Sequence, residues 1–443
     1  MLAFGVCLAA SAAQSNSLVW RTNGISADVR NFPLPELLKQ IATQTGWRVF
    51  VEPDTARNAS VKFKNESSGT ALKMLLGDLN FALVPKTNSP SELYVFRTRM
   101  ENATRLVRGI NANAKHVANE LLVKVKPGTD IDALAKSLGA KITGRNDKLG
   151  IYRLEFSDAN ATDSALAQLQ NNSDVQAVDY NYIYEPPPSA QQLASASMGP
   201  VSLKLNPPGD SGRPIVGLVD TSVQSLGDQL NQFLLKQLSV AGDSSASGDG
   251  LNHGTAMAET ILRAMGIAGQ GGTSAQILPV DVYGSSGTTT SWYVALGIQA
   301  AVDGGANIVN LSLGGTGDSS ILSSLIAQGE SQGIVFIASA GNEPVATPTY
   351  PAAYPGVLAV TAEEHGQLAP YANYGSFVNA AAPDSSIVYL GTTPWLVQGT
   401  SVSAAYMTGV AAGTQSATGQ TWAQILAALQ KSFPVPANPS SQK

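Results

Sequence analysis

The amino-acid sequence predicts an α/β protein: a doubly wound, parallel-sheet domain over residues 201–433, preceded by two small α+β modules. Three observations carry this reading. From residue 201 onward, short apolar runs alternate with helical patterns, as in repeated βαβ units. Residues 118–185 read strand, helix, two strands, helix, strand, which is a split βαββαβ order. The 443 residues also exceed one domain of ordinary size.

Taken in order, residues 1–13 are small and apolar and end Ala10-Ser11-Ala12-Ala13. They read as a secretory signal peptide lacking its basic start; a frayed N-terminus is the alternative. The single cysteine, Cys7, lies there, so a processed chain would hold no disulfide. Residues 18–98 form a first module. Ile25, Ala27 and Val29 alternate as in a strand. Pro35 opens a helix through Leu37, Leu38 and Ile41 that stops before Gly46. Strands are expected over 47–51 and 61–64, a helix from Ser68 through Leu72, Leu75 and Leu76, and a hairpin over 81–84 and 93–96. With the phrase Gln40-Ile41-Ala42-Thr43-Gln44-Thr45-Gly46, this order resembles the short N-terminal domain of secretins and TonB-dependent receptors. That resemblance implies an envelope partner; a generic α+β module is the alternative.

Residues 99–117 are expected to be a polar linker with His116 exposed. In the second module, 118–185, Leu121, Val123 and Val125 mark a strand. Asp130 caps a helix through Ile131, Leu134 and Leu138 that ends at Gly139. Strands 141–145 and 151–156, a helix carrying Ala165, Leu166 and Leu169, and a strand over 175–184 complete a ferredoxin-like order. Residues 186–200 form an exposed Pro/Ser/Ala linker, and 434–443 a polar tail. Between them, strands are expected over 215–219, 276–282, 308–313, 335–339 and 357–361. Helices start near His253, Ser291, Ser319, Ser401 and Thr421.

Only 13% of residues are charged, about half the usual share. The surface therefore relies on Ser, Thr, Asn and Gln. The net charge of −5, without basic clusters, argues against nucleic acid. No transmembrane segment is expected, since no later run is long and apolar enough.

Four motifs bear on chemistry. Strand 215–219 runs into Asp220-Thr221; His253-Gly254-Thr255 opens a helix; Gly341-Asn342 ends a strand; Gly399-Thr400-Ser401 opens a run of small residues containing Gly409. A serine at a helix start lies among unsatisfied N–H groups and the positive end of the helix dipole, a good place for a nucleophile that creates an oxyanion. By itself Ser401 reads equally as an N-cap, Asp220 as a strand-end cap and Gly-Asn as a turn. An ordinary hydroxyl needs a base, and of the three histidines only His253 sits in a motif.

In order and spacing, the four motifs resemble the subtilisin-like serine peptidases, or subtilases. The resemblance implies Asp220, His253 and Ser401 as a triad and Asn342 as oxyanion donor. It implies substrate contacts from Ser312, Leu313 and Gly314, a side-chain pocket walled by Ser339, Ala340 and Gly341, and a flanking edge at Gly284 and Gly287. The second module, opening Leu121-Leu122-Val123-Lys124-Val125-Lys126-Pro127-Gly128, resembles the inhibitory propeptide of that family. The chain departs from the family after His-Gly-Thr, where Ala256-Met257-Ala258-Glu259 replaces His-Val-Ala-Gly, and after Gly-Thr-Ser, where Val402, Ser403, Ala405 and Tyr406 stand instead of the usual residues. No reacting group is lost.

The expectation is a secreted or periplasmic serine endopeptidase, made as a self-inhibited precursor and acting on proteins or peptides. No cofactor is required for the chemistry. Calcium occurs in the family, but no Asp-rich loop supports a metal site. A catalytically inactive envelope scaffold is the alternative, and a secretin-type assembly subunit fits the first module only. Maturation is expected between 189 and 199, with Leu193 or Met198 before the cut, because proline pairs poorly with substrate-binding strands.

Overall fold

A computed structural model of the chain describes residues 17–437, except 22–23, 54, 86–90, 108–113, 171, 186–189, 197, 210–211 and 244–249. The expected signal segment, the end of the tail and the prolines at 186–188 lie outside the described residues. The chain divides into two compact units, Met1–Asn111 and Ala112–Lys443.

The first unit runs β1 (Ser17–Arg21), β2 (Gly24–Pro33), α1 (Leu34–Thr45), β3 (Arg48–Val51), β4 (Asn58–Glu66), α2 (Ser68–Leu76), β5 (Asn80–Val84), β6 (Glu92–Phe96) and β7 (Arg105–Val107). It forms two sheets, β1-β2-β4 and β5-β6-β3-β7. The inward stripes of α1 and α2, with Leu37, Leu38, Ile41, Leu72, Leu75 and Leu76 fully buried, make a core with Val29, Phe63 and Leu93. Strand β7 corrects the expected linker: Arg105–Val107 lies inside 99–117 and pairs antiparallel with β3. Its polar neighbourhood hid a strand too short to show a period.

The second unit opens with β8 (His116–Val125), α3 (Ile131–Ser137), β9 (Lys141–Asn146), β10 (Ile151–Glu155), α4 (Ala159–Gln170) and β11 (Val175–Tyr184). These strands lie in the order β11-β8-β10-β9, every neighbouring pair antiparallel. Asp130 caps α3, accepting from the Ala133 N–H at 3.0 Å. His116 differs from expectation. It is half-buried at the start of β8, its ring 4.2 Å from that of Tyr180.

Next come β12 (Gln191–Gln192), β13 (Lys204–Leu205), β14 (Ile215–Asp220), α5 (Asp228–Asn231), β15 (Leu238–Ser239), α6 (His253–Ala268), β16 (Gly272–Thr273), β17 (Gln276–Asp281), β18 (Thr289–Thr290), α7 (Ser291–Asp303), β19 (Ile308–Leu311), α8 (Ser320–Ser331) and β20 (Val335–Ser339). The chain ends with β21 (Leu358–Glu364), β22 (Gln367–Leu368), β23 (Ala380–Pro383), β24 (Ser385–Leu390), β25 (Thr393–Gln398), α9 (Thr400–Thr418) and α10 (Trp422–Ser432). Strand β12 falls in the expected exposed linker 186–200 and pairs with β25.

The main sheet has the order β15-β17-β14-β19-β20-β21-β22, with β23 beside β21. Pairings from β15 to β21 are parallel. Helices cover both faces, so the central strands read as continuous apolar runs. One core joins Val294 and Ile298 of α7 and Leu322 and Leu325 of α8 to Val219, Val280 and Val309. The other joins Ile261 and Met265 of α6 and Met407 and Ala411 of α9 to Val216, Leu218 and Ile337. Chain order reverses at β14, with β17 on one side and β19 on the other. A crevice opens at the carboxyl ends of strands at such a point. Helices α6 and α9 pack closely because Gly409 faces α6; a Cβ there would lie 2.3 Å from the Ile261 carbonyl oxygen. The two helices whose first turns carry His253 and Ser401 are thereby fixed against each other.

Candidate active site

Asp220 ends β14, buried at 1% exposure. Its Oδ1 accepts the Thr221 N–H at 2.7 Å and lies 2.7 Å from Nδ1 of His253. His253 is the first residue of α6, after the N-cap Asn252. The helix start is held against the end of β14 by two bonds. The Gly254 N–H donates to Thr221 Oγ1 at 2.8 Å, and the Asn252 amide donates to Ser222 Oγ at 3.2 Å. The contact requires glycine: a Cβ at 254 would sit 2.2 Å from the Thr221 carbonyl oxygen. His253 Nε2 is buried and has no hydrogen-bond partner among the described residues.

Ser401 is the second residue of α9 and is buried. Its hydroxyl donates to the Ser312 carbonyl at 3.2 Å, and the Ser312 hydroxyl donates to the Ser401 carbonyl at 3.0 Å. This explains why β19 stops at Leu311 rather than at the expected residue 313: Ser312 leaves the ladder to brace α9. Asn342 follows β20. Its Oδ1 accepts from the Thr400 N–H at 2.9 Å and the Thr400 hydroxyl at 3.0 Å. With the oxygen so engaged, the two N–H donors of the amide remain for a ligand.

Asp220, His253, Asn342 and Ser401 are thus brought together at the carboxyl ends of β14 and β20 and the amino ends of α6 and α9. His253 and Ser401 line one cleft of about 590 Å³ with Gly284, Gly287, Tyr283, Trp395, Gln398 and Ala190. Leu313 and Ala340 instead belong to the apolar core that contains Tyr184. Ser339 is buried at the end of β20, and Gly341 precedes Asn342 at φ 108°. Gly314 lies against the Tyr350 carbonyl, and the Tyr350–Pro351 bond is cis. His365 is exposed in a turn. Thr400 and Ser312 tie Asn342 and Ser401 in place, roles that the sequence did not reveal. Burial holds the Tyr283 phenol in the cleft wall well above its ordinary pKa, with Asp220 and Asp281 adding to the shift. Among the described residues, no group of three His, Cys, Asp or Glu could hold a metal ion, and no helix is long and apolar enough to cross a membrane.

Strand β11 leads into this crevice. Ile183 and Tyr184 pair antiparallel with Thr290 and Thr289 of β18, and Tyr184 is fully buried beside Gly315. Two side chains of β11 serve helices of the main domain. The Asp179 carboxylate accepts from the Ser319 and Ser320 hydroxyls, both at 2.8 Å, and from the Ile321 N–H at 2.9 Å, at the start of α8. Asn181 Oδ1 accepts from the Trp292 N–H at 3.1 Å and the Ser291 hydroxyl at 3.2 Å, at the start of α7. Anionic and polar acceptors are favoured at those helix ends.

The subtilase family matches residues 211–436, and the fervidolysin N-terminal prodomain matches residues 103–181. Thermitase of Thermoactinomyces vulgaris is 34% identical over 222 residues, 48% of this chain and 79% of thermitase. The thermophilic serine proteinase of Bacillus sp. (strain AK1) is 29% identical over 315 residues, 67% of this chain and 78% of that protein. The crystal structure of fervidolysin from Fervidobacterium pennivorans superposes with a TM-score of 0.55 at 20% identity, covering 72% of this chain and 57% of that one.

Proposed function

Because the chain belongs to the subtilase family and is a subtilisin-like serine endopeptidase with an N-terminal prodomain, we propose that Asp220, His253 and Ser401 are its triad and Asn342 its oxyanion donor. The observation that carries this is the 2.7 Å contact between Asp220 Oδ1 and His253 Nδ1, in the cleft that also holds Ser401. Asp220 holds the imidazole with Nδ1–H toward the carboxylate, which leaves Nε2 as the base. The Ser401 hydroxyl turns from the Ser312 carbonyl toward Nε2 and gives up its proton as its oxygen attacks the peptide carbonyl. The Asn342 amide and the Ser401 N–H meet the developing oxyanion. His253 then protonates the leaving amine, and water, activated by the same base, hydrolyses the acyl-enzyme.

Substrate would lie as an extended strand between β18 and the Ser312–Gly314 stretch, with Ser339, Ala340 and Gly341 around the side chain before the cut. The pairing of Ile183 and Tyr184 with β18 supports this, since the prodomain then binds as substrate would, by strand addition. The prodomain, residues 118–185, is read as the self-inhibitor of a precursor exported from the cytoplasm. The first unit is read as a docking module for an envelope partner; its separate core supports an independent role.

Ser401→Ala tests the reading. The variant should not react with a fluorophosphonate, should not hydrolyse casein, and should accumulate as full-length precursor. A wild-type chain that is itself unreactive would instead mark an inactive scaffold.

A further inference from the structure

The segment joining prodomain and peptidase domain is bound more firmly than a tether requires. Gln191 and Gln192 pair antiparallel with Leu396 and Trp395 of β25, and the Leu193 N–H donates to the Pro394 carbonyl at 2.9 Å. Since β25 also pairs with β24, the segment completes a three-stranded sheet. Further along, the Tyr389 hydroxyl of β24 donates to the Met198 carbonyl at 2.6 Å, and Arg263 of α6 donates to the Gly199 carbonyl at 3.2 Å.

One buried carboxylate ties these two donor-bearing elements together. Glu259, 1% exposed, accepts the Tyr389 N–H at 2.6 Å and lies 3.5 Å from Arg263 one turn along α6. Glu259 stands where the family's motif continues with glycine. A buried carboxylate is costly unless paired and hydrogen-bonded, so its presence here calls for a purpose. None of these groups takes part in the chemistry above.

The position of the segment supplies that purpose. Strand β25 runs through Gly399 into Ser401, and Ala190 lines the same cleft as His253 and Ser401. Tyr184, buried in the neighbouring apolar core, pairs with β18. In the binding mode proposed above, the β18 side takes the acyl part of a substrate and the β25 side, which runs into Ser401, takes the leaving part.

We propose that the segment carrying Gln191, Gln192, Leu193, Met198 and Gly199 stays on the peptidase domain after maturation, with the cut upstream of Gln191. It is then a resident strap on the leaving-group side of the cleft. This moves the cut upstream of the Leu193 and Met198 positions that the linker composition favours. A substrate that extends past its scissile bond must displace β12 from β25, whereas one ending in a small leaving group need not. The proposal rests on self-cleavage by Ser401.

Intact mass and N-terminal sequencing of the matured protein test it first. A start at or upstream of Gln191 is expected; a start after Gln191 overturns the strap. A chain that neither cleaves itself nor takes a fluorophosphonate overturns the peptidase reading, and the strap with it. Tyr389→Phe removes one hydroxyl from the clasp. It should raise kcat/KM on a peptide extended several residues past the cut by roughly three- to ten-fold, the worth of one hydrogen bond. On a tetrapeptide p-nitroanilide kcat/KM should not change. An equal effect on both substrates, or none on the extended peptide, overturns the strap's occupancy of the cleft.

Discussion

In the proposed mechanism Asn342 acts through a single amide, whose orientation Thr400 fixes with two bonds to its oxygen. Its donor strengthens only as charge develops on the carbonyl. Asn342→Ala should therefore lower kcat by about 10² to 10³-fold, the magnitude known for the same donor in subtilisin, a relative, and leave KM nearly unchanged. Steady-state kinetics on a peptide p-nitroanilide checks this, and a change confined to KM would reject the oxyanion role. Glu259 makes a different prediction. Burial pushes its carboxyl up to about 7 from the ordinary 4.5, against the opposing pull of the Tyr389 N–H and Arg263. The fold thus favours the protonated form. That contribution is fully present below about 4.5 and is lost as pH rises through about 7. Its full size is up to about 3 kcal/mol. In a Ser401→Ala background, which prevents self-digestion, melting between pH 5 and 8 should show a loss of stability that Glu259→Gln reduces. The residues proposed to react were legible because each sits in a local motif. Thr400 sits in one of those motifs and Ser312 was expected as a substrate contact, but their bracing work is done across 58 and 89 residues of chain. Local pattern carries no trace of such contacts.

At the scale of elements, the five helices expected in the peptidase domain start within one residue of expectation, while the short α5 was not foreseen. The reason is chemical: caps such as Ser319 and Thr421 announce a helix start in the sequence itself. The hairpin of β24 and β25, and β12 beside it, were not foreseen. Pro394 interrupts the pattern, and the partner of β25 lies some two hundred residues upstream. Strand β11 was expected, but not the work of its side chains on other helices. Asp179 satisfies three donors at the start of α8. Asp179→Ala leaves the α8 cap to Ser319 alone. Added prodomain with this change should inhibit the mature enzyme roughly 10- to 100-fold less tightly. An inhibition constant unchanged from the natural sequence would mean that the caps contribute nothing to binding.

For the whole molecule, the division into two units has a direct consequence. The first unit's core draws only on its own residues. A chain beginning at Ala112 should therefore fold, mature and hydrolyse casein like the full chain; failure to mature would tie the first unit to folding of the peptidase. Lys148–Asp303 at 2.7 Å and Lys124–Ser324 at 3.3 Å join the prodomain to the peptidase domain in addition to β11. Among these contacts, Trp292 at the start of α7 is only 4% exposed. Gly144 of β9 packs against its ring, where a Cβ would lie 2.6 Å from Cζ2, and the Arg153 guanidinium stands 5.7 Å from the ring centre. Trp292 is therefore an optical reporter built into the enzyme's shoulder. While the prodomain is seated, the indole emits from an apolar setting; once the prodomain leaves, water reaches the ring and emission moves to longer wavelength. Precursor activation can thus be followed as a colour change in the protein's own light, with Trp292→Phe as the control that should lose the shift while the other four tryptophans still emit.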